Sequence, residues 1–230
     1  MRSGGLFILG GEALFLSGCG RCHSRRGSRS VCSRQRGMQS GLFSSRGPGK
    51  GARMKSFLQK MSGGGKRPPR ASGKEIAAAW IGSCIAIGLV ALLERYMTGS
   101  GFPLLIGAFG ASAVLAFGAA NSPLAQPRNM VGGHFLSSLV GVACGMMIPD
   151  VTWLAACLAV ATAIAVMHIS RTLHPPGGAT ALIAVTGGES IRQLGWTYAF
   201  VPCLSGAIIL LLVALVVNNI PRHQRWPLFW

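Results

Sequence analysis

Six apolar stretches, separated by short polar or proline-containing turns, fill the last two thirds of this 230-residue chain. They cover about residues 75–97, 102–119, 129–148, 151–170, 174–187 and 194–219. A helix needs about 20 residues, at ~1.5 Å each, to cross ~30 Å of hydrocarbon. The first, third, fourth and sixth stretches meet that length, and the second is marginal and rich in glycine. The fifth, from Pro175 to Thr186, would extend only ~18 Å as a helix, too short to cross alone. The pattern predicts an all-α membrane protein with about six hydrophobic helical elements, four long and two short.

The order long, short, long occurs twice. The two short elements carry Gly110-Ala111-Ser112-Ala113-Val114-Leu115 and Gly178-Ala179-Thr180-Ala181-Leu182-Ile183, which match in residue type at every position. A unit with an odd number of crossings, repeated once, runs in the opposite direction in its second copy. That predicts a 3+3 inverted repeat, a plan in which short, Gly/Pro-interrupted helices meet around a substrate. Two independent small-residue packing faces are the competing reading. His174-Pro175-Pro176 cannot lie inside a regular helix, because proline lacks an N–H and clashes with the preceding turn, but it can begin one. A helix therefore starts at Pro175 or Pro176, with Gly177 and Gly178 just inside it. Pro103 lies seven residues before Gly110, so the earlier short helix is expected to begin further upstream of its glycine.

These residues also resemble a family. Leu173-His174-Pro175-Pro176-Gly177-Gly178-Ala179-Thr180-Ala181-Leu182, Gly107-Ala108-Phe109-Gly110-Ala111-Ser112 and Ser122-Pro123-Leu124-Ala125-Gln126-Pro127-Arg128-Asn129 are similar, in that order, to motifs of the HPP integral membrane proteins. The resemblance extends over about residues 72–230. Plastid members resemble nitrite carriers, so the resemblance implies transport of a small, nitrite-like anion. It implies a bacterial inner membrane, or alternatively a chloroplast envelope.

Charge divides the chain. Half of the residues are hydrophobic and 12% are charged, yet 16 of the 22 Lys and Arg lie in residues 1–74. The tail over 1–71, rich in Gly, Ser and Arg, is expected to be disordered because it has no apolar face to bury. Its basic charge comes without a DNA-reading motif or interleaved aromatics, so nucleic acid is not an expected partner; beside a membrane body it marks the cytoplasmic side. Three origins remain open for it: upstream sequence preceding a start at Met54, a transit peptide, or a lipoprotein signal ending at Leu16-Ser17-Gly18-Cys19. Cys19 and Cys22 have CxxC spacing beside His23, which reads as coincidence without a second pair. The transmembrane domain is expected over 72–221, with a cytoplasmic tail at 222–230. With six crossings, Arg128, Arg171, Arg222 and Arg225 fall on the inner side. Glu94, Arg95, Asp150, Glu189 and Arg192 fall on the outer side, in accord with the positive-inside rule.

The candidate chemistry is anion binding. A helix start supplies N–H groups and a positive dipole end, glycine admits a ligand to the backbone, and hydroxyls add donors. The candidate substrate-binding residues are His174, Pro175, Pro176, Gly177, Gly178 and Thr180 in the second short element, Gly110 and Ser112 in the first, and Arg128 and Asn129 at the inner mouth. Tight helix packing by small residues is the alternative for the glycines, and an interfacial anchor for Arg128. His134, His168 and His174 all lie toward the inner ends of their stretches. They are candidates for proton coupling, for structural hydrogen bonds, or for ligation of haem or metal. Walker A, GxGxxG, GxSxG and HExxH patterns are absent, which argues against an enzyme and against an ATP-driven pump. No cofactor is expected, and the partners are lipid, a small anion and a second copy of the chain. A non-conducting sensory module and a haem- or metal-binding redox protein are the alternative functions.

Overall fold

The computed structural model describes residues 50–61, 65, 67–96, 103–220 and 225–230. The CxxC pair, the Leu16–Cys19 signal and Arg222 lie outside the described residues. In the first unit, Met1–Gly65, Lys50–Met61 forms helix α1. Lys55, Leu58, Gln59, Lys60 and Met61 are good helix formers, and Phe57 and Met61 share a face one turn apart.

The second unit, Lys66–Trp230, is all helical among its described residues. Its helices are α2 (Gly73–Tyr96), α3 (Ala108–Gly118), α4 (Pro127–Met147), α5 (Thr152–Ile169), α6 (Pro175–Thr186), α7 (Glu189–Arg192) and α8 (Ala199–Val217). Helices α2, α4, α5 and α8 are long and apolar enough to cross a membrane. Local chemistry sets the ends. Ser72 and Glu75 form a reciprocal capping box at the start of α2, with Ser72 N–H donating to Glu75 Oε2 at 2.7 Å and Glu75 N–H to Ser72 Oγ at 3.3 Å. Proline opens α4 and α6, as the sequence predicts for α6. Helix α3 starts at Ala108, later than expected from Pro103. Residues 103–106 are instead tied back to α2, Leu105 N–H donating to Glu94 Oε2 at 2.8 Å. Helix α3 closes in a π-turn over Val114–Gly118, and α8 opens in one over Ala199–Leu204, where Pro202 has no N–H to give.

Successive elements reverse direction. Arg128 donates to the Ser170 carbonyl at 3.0 Å, and Asn218 to the Ala116 carbonyl at 2.9 Å. These bonds gather the starts of α4 and α6 with the ends of α3, α5 and α8 at one face of the bundle. Arg128, Arg171 and Arg225 belong to that face, while Glu94, Asp150 and Glu189 belong to the other. Residues 225–230, in the expected cytoplasmic tail, fold back onto the basic face. Trp226 is buried and donates from Nε1 to the Ala120 carbonyl at 3.2 Å, and Leu228 N–H donates to Gln126 Oε1 at 2.8 Å. Burying the indole and giving its N–H a partner outweighs leaving the segment in solvent.

Small residues bring the helices close. The buried stripes are Gly82, Ala86 and Val90 on α2, and Ala155, Ala159, Ala163 and Met167 on α5. Helices α4, α5 and α6 pack mutually, as do α8, α2 and α3, while α3 meets α6 and α4 meets α8. Exchanging α2 with α5, α3 with α6, and α4 with α8 reproduces this set of main neighbours. Each helix also runs opposite to its counterpart.

Candidate functional site

Helix α4 is the least apolar of the long helices, and its polar residues point inward. His134, Ser137 and Ser138 are all fully buried. His134 lies about 10 Å along the helix from its start, at ~1.5 Å per residue. One imidazole there meets both short helices. Its Nε2 lies 2.6 Å from Ser112 Oγ on α3, and its Nδ1 lies 2.7 Å from Thr180 Oγ1 on α6. Ser112 and Thr180 are the corresponding residues of the two Gly-Ala-(Ser/Thr)-Ala segments. The match of the short elements thus becomes a pair of hydroxyls flanking a single ring.

His174, the residue before α6, completes the cluster. Its Nε2 lies 2.9 Å from the same Ser112 Oγ, and its Nδ1 donates to the Leu124 carbonyl at 2.8 Å. The two imidazoles stand edge to face with centroids 5.1 Å apart, and Phe109 is edge-on to His134 at 5.3 Å. Thr180 Oγ1 is also 3.2 Å from the Pro176 carbonyl, and Tyr198 OH donates to the Thr180 carbonyl at 3.0 Å. Asn129 holds the approach to His174 by donating to the Leu173 carbonyl at 2.8 Å. Among the described residues no Asp, Glu, Lys or Arg is buried. The centre is therefore a group of neutral donors and titratable rings in an apolar wall, without a fixed charge.

The predicted residues divide. Ser112, Thr180 and His174 converge, and Asn129 supports them from behind. Pro175 and Gly110 are exposed, as is Arg128, whose guanidinium is engaged by Ser170. His168 is exposed at the end of α5 and does not join the cluster. Pro176 is buried in the first turn of α6. Neither proline has an N–H, and that of Gly177 is engaged by the His174 carbonyl at 2.8 Å. Donors for a ligand are thus to be sought in side chains and not in the first backbone groups of α6. Gly177 is a packing glycine: a methyl there would meet Ser137 Oγ at 2.8 Å, the Gly133 carbonyl at 2.9 Å and Met167 Sδ at 2.9 Å. Gly178 is open by comparison, with Val160 at 4.0 Å.

Sequence reasoning overlooked Ser137 and Tyr198. Ser137 Oγ is buried with no hydrogen-bond partner among the described residues, an expensive state for a hydroxyl unless a ligand or water completes it. The available signal was the Ser137-Ser138 pair, polar residues inside a span and one turn beyond His134. On the acidic side, a cavity of about 100 Å³ opens between the ends of α4 and α6 and the start of α5, with Arg192 in its wall. Between cavity and cluster, α4 and α6 touch directly. A methyl on Gly141 would lie 2.6 Å from the Ala181 carbonyl oxygen and 2.7 Å from Ala184 Cβ.

Apolar spans around a buried, uncharged polar centre define a multi-pass integral membrane protein of the all-α class. The family described as "HPP, transmembrane region" matches residues 68–227, and the chain belongs to it. Two transmembrane proteins of Dictyostelium discoideum are similar, one 46% identical over 178 residues and the other 47% identical over 180 residues. Each alignment covers 76% of this chain but only 57% and 63%, respectively, of the relatives' own length. No solved structure matches the chain.

Proposed function

We propose that the protein is a secondary carrier for a small anion, with the Ser112–His134–Thr180–His174 cluster as its binding centre. The observation that carries this reading is the bonding of corresponding hydroxyls, from two short and oppositely running helices, to the two nitrogens of one buried imidazole. Paired short helices meeting at a buried centre are characteristic of carriers built on inverted repeats. The absence of buried carboxylates among the described residues favours an anion, since a cation would meet no opposite charge there. Ser137 supplies a hydroxyl that is free to bind. The cavity beside Arg192 forms an outer vestibule, and the contact of Gly141 with Ala181 and Ala184 closes it from the centre. Transport then requires α4 and α6 to separate at that contact.

Nitrite is the first substrate to test, on the family resemblance. Full-length protein reconstituted into liposomes should take up nitrite saturably and faster than protein-free vesicles. Uptake no faster than in protein-free vesicles, across nitrite, nitrate, formate and chloride, would reject the reading.

A further inference from the structure

The hydrogens of the cluster can be counted. His174 Nδ1 faces a carbonyl and so carries a proton in every state. Ser112 has one hydroxyl hydrogen but stands between two ring nitrogens, at 2.6 and 2.9 Å, and can donate to only one of them. If it donates to His174 Nε2, then His134 must donate from Nε2 to Ser112. The bare Nδ1 of His134 then accepts from Thr180. Every bond to the two rings is made, and all run in one direction: Thr180 to His134, to Ser112, to His174, to the Leu124 carbonyl; Thr180, its one hydrogen given to His134 at 2.7 Å, leaves only its longer 3.2 Å contact with the Pro176 carbonyl unmade. The rings are neutral and hold opposite tautomers.

One more proton also fits. Placed on His134 Nδ1, it is donated to Thr180 Oγ1, whose own hydrogen turns to the Pro176 carbonyl 3.2 Å away. The charge can then move. His134 gives its Nε2 proton to Ser112 Oγ as Ser112 gives its hydrogen to His174 Nε2. One N–H bond breaks and one forms, the serine remains neutral, and the imidazolium is now His174 with all of its bonds intact. A second added proton does not fit. Both Nε2–H groups would then point at Ser112, its hydrogen would have no acceptor, and two cations would lie with ring centroids 5.1 Å apart.

The groups facing the rings impose no other charge. Helix α3 presents Ser112 and Phe109, α6 presents Thr180, and the turn before α4 presents the Leu124 carbonyl. Helix α4 itself carries Ser137 and Ser138. Helix α5 places Met167 against the start of α6, and α8 brings Tyr198 to the Thr180 carbonyl with Cys203 beside it. Among the described residues none of these is a carboxylate or a basic side chain.

We propose that His134, Ser112 and His174 form a relay that holds and passes one proton, and that it couples the anion's movement to a proton. This rests on the carrier reading above. An imidazolium appearing beside the anion would make the loaded centre neutral and remove most of the cost of enclosing a charge in the bilayer. The test uses full-length protein, ¹⁵N-labelled at histidine, in lipid nanodiscs. At neutral pH, His134 should be the Nε2–H tautomer and His174 the Nδ1–H tautomer, and acidification should add one proton to the pair. In Ser112→Ala, His134 should switch to Nδ1–H, because only Thr180 remains to receive its hydrogen. Identical tautomers in the unaltered protein, or uptake of two protons by the pair, would overturn the relay without any variant being needed. In liposomes containing a pH dye, nitrite uptake should carry one proton per anion above the protein-free background. Nitrite uptake without a proton overturns the coupling and leaves the carrier reading standing. The expected tautomers with no nitrite movement retain the relay and remove nitrite as the substrate.

Discussion

Ser112→Ala tests the cluster most directly, because this hydroxyl serves two rings. Without it, His134 recovers part of the loss by changing tautomer and donating from Nδ1 to Thr180. Its Nε2 and that of His174 are then both buried acceptors with no donor. Leaving one buried polar group unpaired costs ~1–3 kcal/mol. Inter-helix hydrogen bonds inside bilayers average only ~0.6 kcal/mol, because the unfolded chain also finds partners there. Weighing these, Ser112→Ala should destabilise by roughly 2–4 kcal/mol. Thr180→Val keeps the volume and orphans a single nitrogen, so it should cost about half as much. Thr186→Val removes a hydroxyl bonded to the Leu182 carbonyl at an exposed site, and should cost less than ~0.5 kcal/mol. Reversible unfolding of the three variants in detergent micelles, followed by circular dichroism, gives the comparison. If Ser112→Ala costs no more than Thr180→Val, the serine is not shared between the rings and the proton count fails with it.

Four further outcomes are expected. Gly141→Leu should be severely destabilising, because the side chain would meet the backbone of α6, which cannot turn aside. Gly88→Ala has open space and should be neutral or stabilising by up to ~1 kcal/mol through helix propensity; thermal stability assays on both separate the two sites. Single cysteines introduced at Lys74 and Leu228 should be labelled from the cytoplasmic side, and one at Asp150 from the opposite side; labelling of Lys74 and Leu228 from different sides would break the alternation of six elements. Gly178→Leu should leave the protein folded and inserted and nitrite uptake intact, since the added side chain would point toward Val160 on α5 and not toward the Thr180 hydroxyl, two residues on and bonded to His134; abolished uptake would move the ligand's path to the α5-facing side of α6.

The elements themselves were legible in the sequence. The long apolar runs and the prolines at Pro127 and Pro175 are strictly local signals, and α6 occupies the residues predicted from them. The likeness of Ser112 to Thr180 was also visible, but as a small-residue match that packing faces could equally produce. Proline and glycine imply an open helix start, and so predict an anion site at the first backbone groups of α6. What the sequence does not show is that the two prolines and the His174 carbonyl leave no free N–H at the first three positions. Residues 222–230 lie beyond the last long apolar run, and position alone predicts a tail there. The acceptor that holds the indole, the Ala120 carbonyl, is 106 positions away in sequence.

Sequence alone determined that this chain is a bundle of apolar helices, which of them are too short to cross unaided, and which end faces the basic side. Each of those properties depends on hydropathy, length and charge, which are sums over neighbouring residues. Tertiary structure decided that His134, one of three histidines with equal claims, stands between Ser112 and Thr180, and that His168 does not. Hydrogen bonds of 2.6–2.9 Å between residues 22 to 62 positions apart depend on how α3, α4 and α6 cross. Those crossings are set by the close approach that Gly133, Gly141 and Gly177 permit, a property of facing surfaces that no local window of sequence contains.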